Sequence, residues 1–285
     1  MSTAAILWVL VSAAAHVAWN TQLKRTQNPQ AFSWLLQLVG FPLALAVTLV
    51  LRRPLDLPWQ GVVCASTTGV LFGAYYTLIA KSYERGDLSL TYPMARGVAP
   101  LASAVWGIAF YREHPSLQGW CGIALICGAV LLGSYPEWIN SRTRVSLVPV
   151  ALAIAAGLCT SGYSAVDKSG VRFVDPVLYL ALCFLGGAVA QGTFLLSQPS
   201  RAAIWPEARR TGRWLVPCAA LDLGGYLIIL FVLKSQPVSY VVPLRSVSVV
   251  MSVVVGIALL GEKATWQRAV AAGMATAGIV ALALG

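Results

Sequence analysis

Two stretches of this chain repeat one another, and each is apolar enough to cross a membrane yet carries an arginine. The first runs from Tyr92 to Glu113, YPMARGVAPLASAVWGIAFYRE, and the second from Val242 to Glu262, VPLRSVSVVMSVVVGIALLGE. Arg96 precedes Glu113 by 113 − 96 = 17 residues, and Arg245 precedes Glu262 by 262 − 245 = 17. Gly107 and Gly256 each follow their arginine by 11 residues, while Pro93 lies three residues before Arg96 and Pro243 two before Arg245. The duplication continues outside these stretches. His16, Trp19, Asn20 and Lys24 recur as Thr160, Tyr163, Ser164 and Lys168 at a constant offset of 160 − 16 = 144, and Ala74-Tyr75 recurs as Gly225-Tyr226. A chain that repeats itself at long range is built from copies of one structural unit.

The unit is membrane-embedded. Hydrophobic residues make up 58% of the chain and charged residues only 11%, with a mean hydropathy of +0.74. A soluble domain carries about 25% charged residues and cannot hide this much apolar surface. Apolar stretches of about 20 residues recur, the length that spans a ~30 Å hydrocarbon core as a helix, whereas a β-barrel would show short alternating segments. The expected spans are Ala4–Asn20, Phe32–Leu51, Gly61–Ser82, Leu88–Tyr111, Leu117–Gly133, Leu147–Val166, Val177–Leu196, Trp214–Leu233, Val238–Leu260 and Trp266–Leu284. The N-terminal run lacks a basic flank and continues through His16 and Trp19-Asn20, so it reads as the first span rather than a cleaved signal. The division falls near residues 140–144, giving a five-helix repeat over residues 1–141 and another over 142–285. Because each repeat has an odd number of spans, the second enters the membrane upside down. The fold class is thus an all-α polytopic membrane protein of about ten transmembrane helices in two inverted repeats. Inverted repeats are characteristic of secondary transporters, which hold substrate near the midplane between the halves.

The net charge of +10 does not indicate nucleic acid, because the basic residues are scattered in short loops where they set membrane orientation. Cys64, Cys121, Cys127, Cys159, Cys183 and Cys218 fall in apolar stretches with no CxxC pair, which predicts small core residues rather than disulfides or metal ligands. No cofactor or metal is expected.

The paired units, each with a Pro and Arg at the start of a span, a glycine within it and a Glu at its end, resemble the EamA family of the drug/metabolite transporter superfamily. His16-x-x-Trp19-Asn20-x-x-x-Lys24, Arg85-Gly86-Asp87-Leu88-Ser89 and Tyr92-Pro93-x-Ala95-Arg96-Gly97 carry the resemblance, which covers essentially the whole chain. The second copy, Val242-Pro243-Leu244-Arg245-Ser246, lacks the tyrosine and glycine of the first. The resemblance implies ten helices around a central cavity, export or exchange of small metabolites, and a bacterial inner membrane. It does not select a substrate, since members carry amino acids, nucleosides, sugars and drugs.

Ionisable side chains within the expected spans are Arg96, Arg245, Asp222 and His16. Each costs at least ~2.5–3.5 kcal/mol facing lipid, which turns them towards the bundle interior. A two-fold axis between inverted repeats would bring Arg96 and Arg245 to one cavity, where two guanidiniums form a fork for carboxylate or phosphate oxygens. The plain alternative is that each arginine only bonds backbone carbonyls or pairs with Asp222. Pairing is the first expectation for Asp222, and carriage of a coupling proton the second. Glu113 cannot reach Arg96 along one helix, because 17 residues at ~1.5 Å each separate them; capping or gate contacts suit it and Glu262 better. His16, Trp19 and Asn20 share a helical face, packing being the usual role of such a Trp and an interhelical hydrogen bond that of a His-Asn pair. With their counterparts Tyr163 and Ser164, and with Tyr92, Tyr75 and Tyr226, they complete the candidate substrate site. Gly69 with Gly73, and Gly273 with Gly278, are expected to let helices pack closely.

Two permanent positive charges against one buried acid predict a substrate with an anionic group, an amino acid or organic anion. Competing functions are a lipid-linked-sugar flippase, which needs a site open to lipid, and a membrane enzyme, for which no HExxH, paired intramembrane aspartates or Walker motif is present. The expected partners are a small-molecule substrate and membrane lipid, with no nucleic acid, and either a monomer or a homodimer. The loop charges place both termini outside, whereas the family resemblance places them inside.

Overall fold

The fold is that of a computed structural model, which describes residues 1–23, 25–85, 88–133, 147–260 and 265–285. Within these, the side chains of residues 80, 83–85, 88–94, 96, 133, 200, 252–260 and 268 are not described. Among the described residues ten α-helices follow one another: α1 (Thr3–Leu23), α2 (Pro29–Val50), α3 (Trp59–Arg85), α4 (Leu88–Tyr111), α5 (Leu117–Gly133), α6 (Leu147–Phe173), α7 (Pro176–Leu196), α8 (Ile204–Leu233), α9 (Val238–Leu260) and α10 (Trp266–Leu284). A short 3₁₀ turn, Pro199–Ala203, leads into α8. Six helices among the described residues are long and apolar enough to cross a membrane, and shorter apolar helices accompany them.

Several expected spans fall short of the helices, most of all the sixth and the eighth. The helix from Leu147 continues to Phe173, beyond the expected end at Val166, and so carries Asp167 and Lys168 into the protein interior. The helix from Trp59 continues to Arg85, and the eighth begins at Ile204, ten residues before Trp214. On α6 the charges find partners elsewhere in the chain, Asp167 with Thr68, Tyr179 and Tyr226 and Lys168 with Glu113, while on α8 Glu207 pairs with Arg210 one turn on and accepts from Asn28 N.

Local chemistry repeats along with the sequence. Asn28 and Asp175 each precede a proline, at the starts of α2 and α7, and cap them: Ala31 N donates to Asn28 at 2.9 Å and Val177 N to Asp175 at 3.0 Å. A proline at the first helical position forgoes an N–H that would be unpaired anyway. At its other end α2 closes in a Schellman motif, with Arg53 N bonding Thr48 O at 2.9 Å and Arg52 N bonding Leu49 O at 3.1 Å. This puts Arg52 at φ 48°, a left-handed conformation costing a non-glycine residue ~1–2 kcal/mol. Arg52→Gly is therefore expected to stabilise the protein by about 0.5–1 kcal/mol, after allowing for the entropy glycine adds to the unfolded chain. A thermal unfolding midpoint equal to or below that of the wild type would refute this.

Helix packing follows a two-fold pattern. α3 packs on α6 as its repeat mate α8 packs on α1; α4 packs on α6 as α9 packs on α1; α7 packs on α3 as α2 packs on α8. The mates α2 and α7, α4 and α9, and α5 and α10 pack on each other. Contacts between mates lie on the pseudo-two-fold axis, so the chain is an all-α membrane protein of two inverted five-helix repeats. Close approach depends on small residues, as is common where lipid removes the hydrophobic drive between helices. A Cβ on Gly69 would lie 2.7 Å from the Gly186 Cα, and one on Gly73 2.7 Å from the Ala190 Cβ, which fuses α3 to α7. On α10, Gly278 meets Ile126 and the Gly122 carbonyl of α5, but Gly273 faces open space, so its expected packing role is corrected. The outer surface presents large apolar side chains, Val70, Leu101, Val105, Phe110 and Val189 among them, as a surface in lipid should.

The described cysteines are all free; Cys127, Cys183 and Cys218 are buried, whereas Cys121 is exposed, correcting the expectation of core placement for that residue.

Candidate functional site

A small cavity lies between the repeats. Its walls come from six helices: His16 and Trp19 on α1, Phe72, Tyr75 and Tyr76 on α3, Tyr163 on α6, Phe184 on α7, Asp222 and Tyr226 on α8, and Arg245 on α9. Two pairs aligned by the sequence repeat, Trp19 with Tyr163 and Tyr75 with Tyr226, meet here. Inversion of the repeats carries corresponding positions to opposite sides of one central space. The volume is about 30 Å³, room for one or two waters.

Seven of the expected site residues, His16, Trp19, Tyr75, Tyr163, Asp222, Tyr226 and Arg245, are brought together. Asn20 and Ser164 are not on the wall. Asn20 Nδ2 donates to the His16 carbonyl at 3.0 Å and lies 2.8 Å from His16 Nε2, and Ser164 Oγ donates to Thr160 O at 2.9 Å. Both polar groups are thus satisfied one turn back on their own helices, which corrects the expected interhelical bond for Asn20. Arg96 and Tyr92 lie on α4, and their side chains are outside the described residues; so are Lys24 and Glu262.

The walls are aromatic. Phe72 and Tyr163 meet edge to face with centroids 4.5 Å apart, Phe72 and Tyr226 at 5.6 Å, and Tyr163 and Tyr226 at 6.1 Å, a geometry favoured by ring quadrupoles. His16 packs edge-on to Trp19 at 5.1 Å. Over the Tyr226 ring sits the Arg245 guanidinium, 4.7 Å from the centroid, a cation–π contact. The Arg245 Nε is buried and has no hydrogen-bond partner among the described residues. Of the two arginines expected as partners of Asp222, Arg96 has its side chain outside the described residues, which leaves Arg245. No ion pair joins Asp222 to Arg245 among the described residues, because the guanidinium is drawn over the ring of Tyr226 instead.

Sequence reasoning missed Asp167. It is fully buried on α6 and accepts hydrogen bonds from Thr68 Oγ1 at 2.6 Å, Tyr179 OH at 2.8 Å and Tyr226 OH. Its place next to Lys168 had made it look like a helix-end charge. The count of two arginines against one acid is therefore corrected to two acids, Asp167 and Asp222, and the argument from excess positive charge no longer stands. Phe72, Tyr76 and Phe184 were also missed, since nothing local separates a cavity aromatic from a packing one.

Glu113 works away from the cavity. Its Oε1 accepts from Val238 N at 2.9 Å and its Oε2 from Ser239 N at 3.0 Å, capping α9, while Lys168 Nζ lies 3.2 Å from Oε1 and bonds Gln236 O at 2.5 Å. The glycine of the repeated motif makes room for this, as a Cβ on Gly107 would collide with the Glu113 carboxylate.

Comparison with known proteins matches the EamA-like transporter family twice along the chain, over residues 3–135 and 147–284. No curated protein matches it. One solved crystal structure superposes with a TM-score of 0.78 at 17% identity, covering 100% of this chain and 98% of the other, a likeness of fold alone.

Proposed function

This chain belongs to the EamA-like transporter family, and on that premise we propose that it moves a small zwitterion of the amino-acid type across the membrane by alternating access. The observation that carries the reading is the presence of Arg245 and Asp222 on one cavity wall without an ion pair between them. Charged groups inside a membrane protein are costly unless paired, and opposite charges kept apart on a shared cavity suit a ligand that carries both. A substrate carboxylate would take the Nε edge of Arg245, which is buried without a partner in this conformation, in the bidentate geometry that guanidinium favours. The substrate ammonium would lie against Asp222 and the aromatic faces, which attract cations. Its side chain would meet Phe72, Tyr163 and Phe184. Parting of the inverted halves, first at one membrane face and then at the other, would open the cavity in turn.

Uptake of labelled phenylalanine into proteoliposomes tests this, with two half-molecules as competitors: 3-phenylpropionate, which lacks the amine, and phenethylamine, which lacks the carboxylate. Unlabelled phenylalanine is expected to compete at least ~10-fold better than either half, because a site built for a polar group is left with unpaired charge when that group is missing. Stronger competition by phenethylamine or by a hydrophobic cation would overturn the zwitterion reading.

A further inference from the structure

We propose that Asp167 is a proton-binding site coupled to the central cavity through Tyr226, so that a proton moves with the substrate. The proposal rests on the zwitterion reading for its coupling, and on the geometry of Asp167 for the site itself.

All three hydrogen-bond partners of Asp167 are hydroxyls: Thr68 Oγ1, Tyr179 OH and Tyr226 OH. A hydroxyl both donates and accepts. The three can therefore serve the ionised carboxylate as donors, and one of them can turn to accept when the carboxyl carries a proton. Thr68 and Tyr179 also lie 3.1 Å apart, in a contact where either can donate, so reversal of one bond is absorbed by the next. Backbone amide or lysine donors would allow no such reversal. A cluster built only to bury a permanent charge has no need of this property, and none of the three described ion pairs involves Asp167. Among the described residues, the titratable and charged groups facing it are Cys64 of α3, Tyr111 of α4, Tyr179 and Cys183 of α7, Tyr226 of α8 and Arg245 of α9.

Tyr226 joins this cluster to the cavity, with its hydroxyl on Asp167 and its ring on the cavity wall beneath Arg245. Protonation runs through it as one relay: the hydroxyl takes a proton from the cavity side as it passes its own to Asp167, so no tyrosinate forms and the electron count is unchanged. Arg245 is the positive charge that acts on both Asp167 and the ligand. A carboxylate bound at Arg245 takes up that charge and makes a proton on Asp167 more favourable. By linkage the proton makes carboxylate binding more favourable in return.

The test compares wild type with Asp167→Asn in proteoliposomes, using labelled phenylalanine. Two readouts are taken: accumulation driven by a pH gradient, acid on the uptake side, and counterflow at equal pH. Asp167→Asn is expected to keep counterflow within about two-fold of wild type and to lose at least ~10-fold of gradient-driven accumulation. A purely structural Asp167 would lower both together or neither, and either result overturns the proposal. Should Asp167→Asn fail to fold, Tyr179→Phe removes one hydroxyl outside the cavity. It is expected to move the pH midpoint of uptake by at least ~0.5 unit with counterflow unchanged, and an unmoved midpoint overturns the proposal. If wild type does not transport phenylalanine, the substrate reading fails by itself. The site is then judged by pH-titrated infrared difference spectra of the purified protein. A carboxyl band lost in Asp167→Asn upholds the proton site, and an unchanged spectrum refutes it.

Discussion

Replacing Glu113 by alanine is expected to lower the stability of the folded protein by about 3–5 kcal/mol, the usual cost of removing one member of a buried ion pair. Glu113 and Lys168 are about nine-tenths buried, and the carboxylate accepts from two backbone N–H groups at the start of α9 besides meeting Lys168 Nζ at 3.2 Å. A carboxylate at a helix N-terminus also gains from the helix dipole, by up to ~2 kcal/mol when partly buried. Alanine leaves the two N–H groups unpaired and Lys168 with only the Gln236 carbonyl. Two further variants separate these losses. Glu113→Gln should fall between wild type and alanine, since its amide oxygen still caps one N–H. Lys168→Met on the alanine background should recover part of the loss, because it removes the stranded charge and keeps the volume. Thermal unfolding followed by tryptophan fluorescence in detergent reads all four proteins. An alanine variant that melts with wild type would show that the junction of α4, α6 and α9 is held by apolar packing alone.

Arg245→Lys should weaken substrate binding by about 10–100-fold while folding survives, since lysine keeps the charge but loses the planar fork and the stacking. The guanidinium lies 4.7 Å from the Tyr226 centroid and its Nε faces no partner. Both features belong to arginine geometry rather than to charge. The effect should therefore appear as a raised KM for phenylalanine uptake, with the amount of folded protein unchanged. Arg245→Gln removes the charge as well and should be the more severe. A lysine variant indistinguishable from wild type would mean that the cavity uses Arg245 as a point charge only, and the bidentate clamp would be wrong.

Much of the architecture was written in hydropathy and in self-similarity. Ten apolar segments, the 17-residue spacing from arginine to glutamate and the 144-residue offset of the flanking helices are local or pairwise properties of the string, and they suffice to predict inverted five-helix repeats. The same pairing placed Trp19 with Tyr163 and Tyr75 with Tyr226 before any contact was known, since a two-fold axis carries equivalent positions to one centre.

The fate of individual charges was decided by tertiary structure. Asp167 and Lys168 end an apolar run, and hydropathy reads such charges as the membrane boundary. Only the arrival of Thr68 from α3, Tyr179 from α7 and Tyr226 from α8 makes Asp167 an interior acid, and only the approach of Glu113 and Gln236 buries Lys168. Likewise Arg245 could have paired with Asp222 as far as composition tells, but the ring of Tyr226, fixed by Asp167 and packed against Phe72 and Tyr163, offers the guanidinium a competing surface. The cost of a buried charge depends on donors and dipoles within a few ångströms, and in this protein those come from helices distant in sequence. The string could therefore specify which residues are costly to bury, while the packing of α3, α6, α7, α8 and α9 determined how each cost is met.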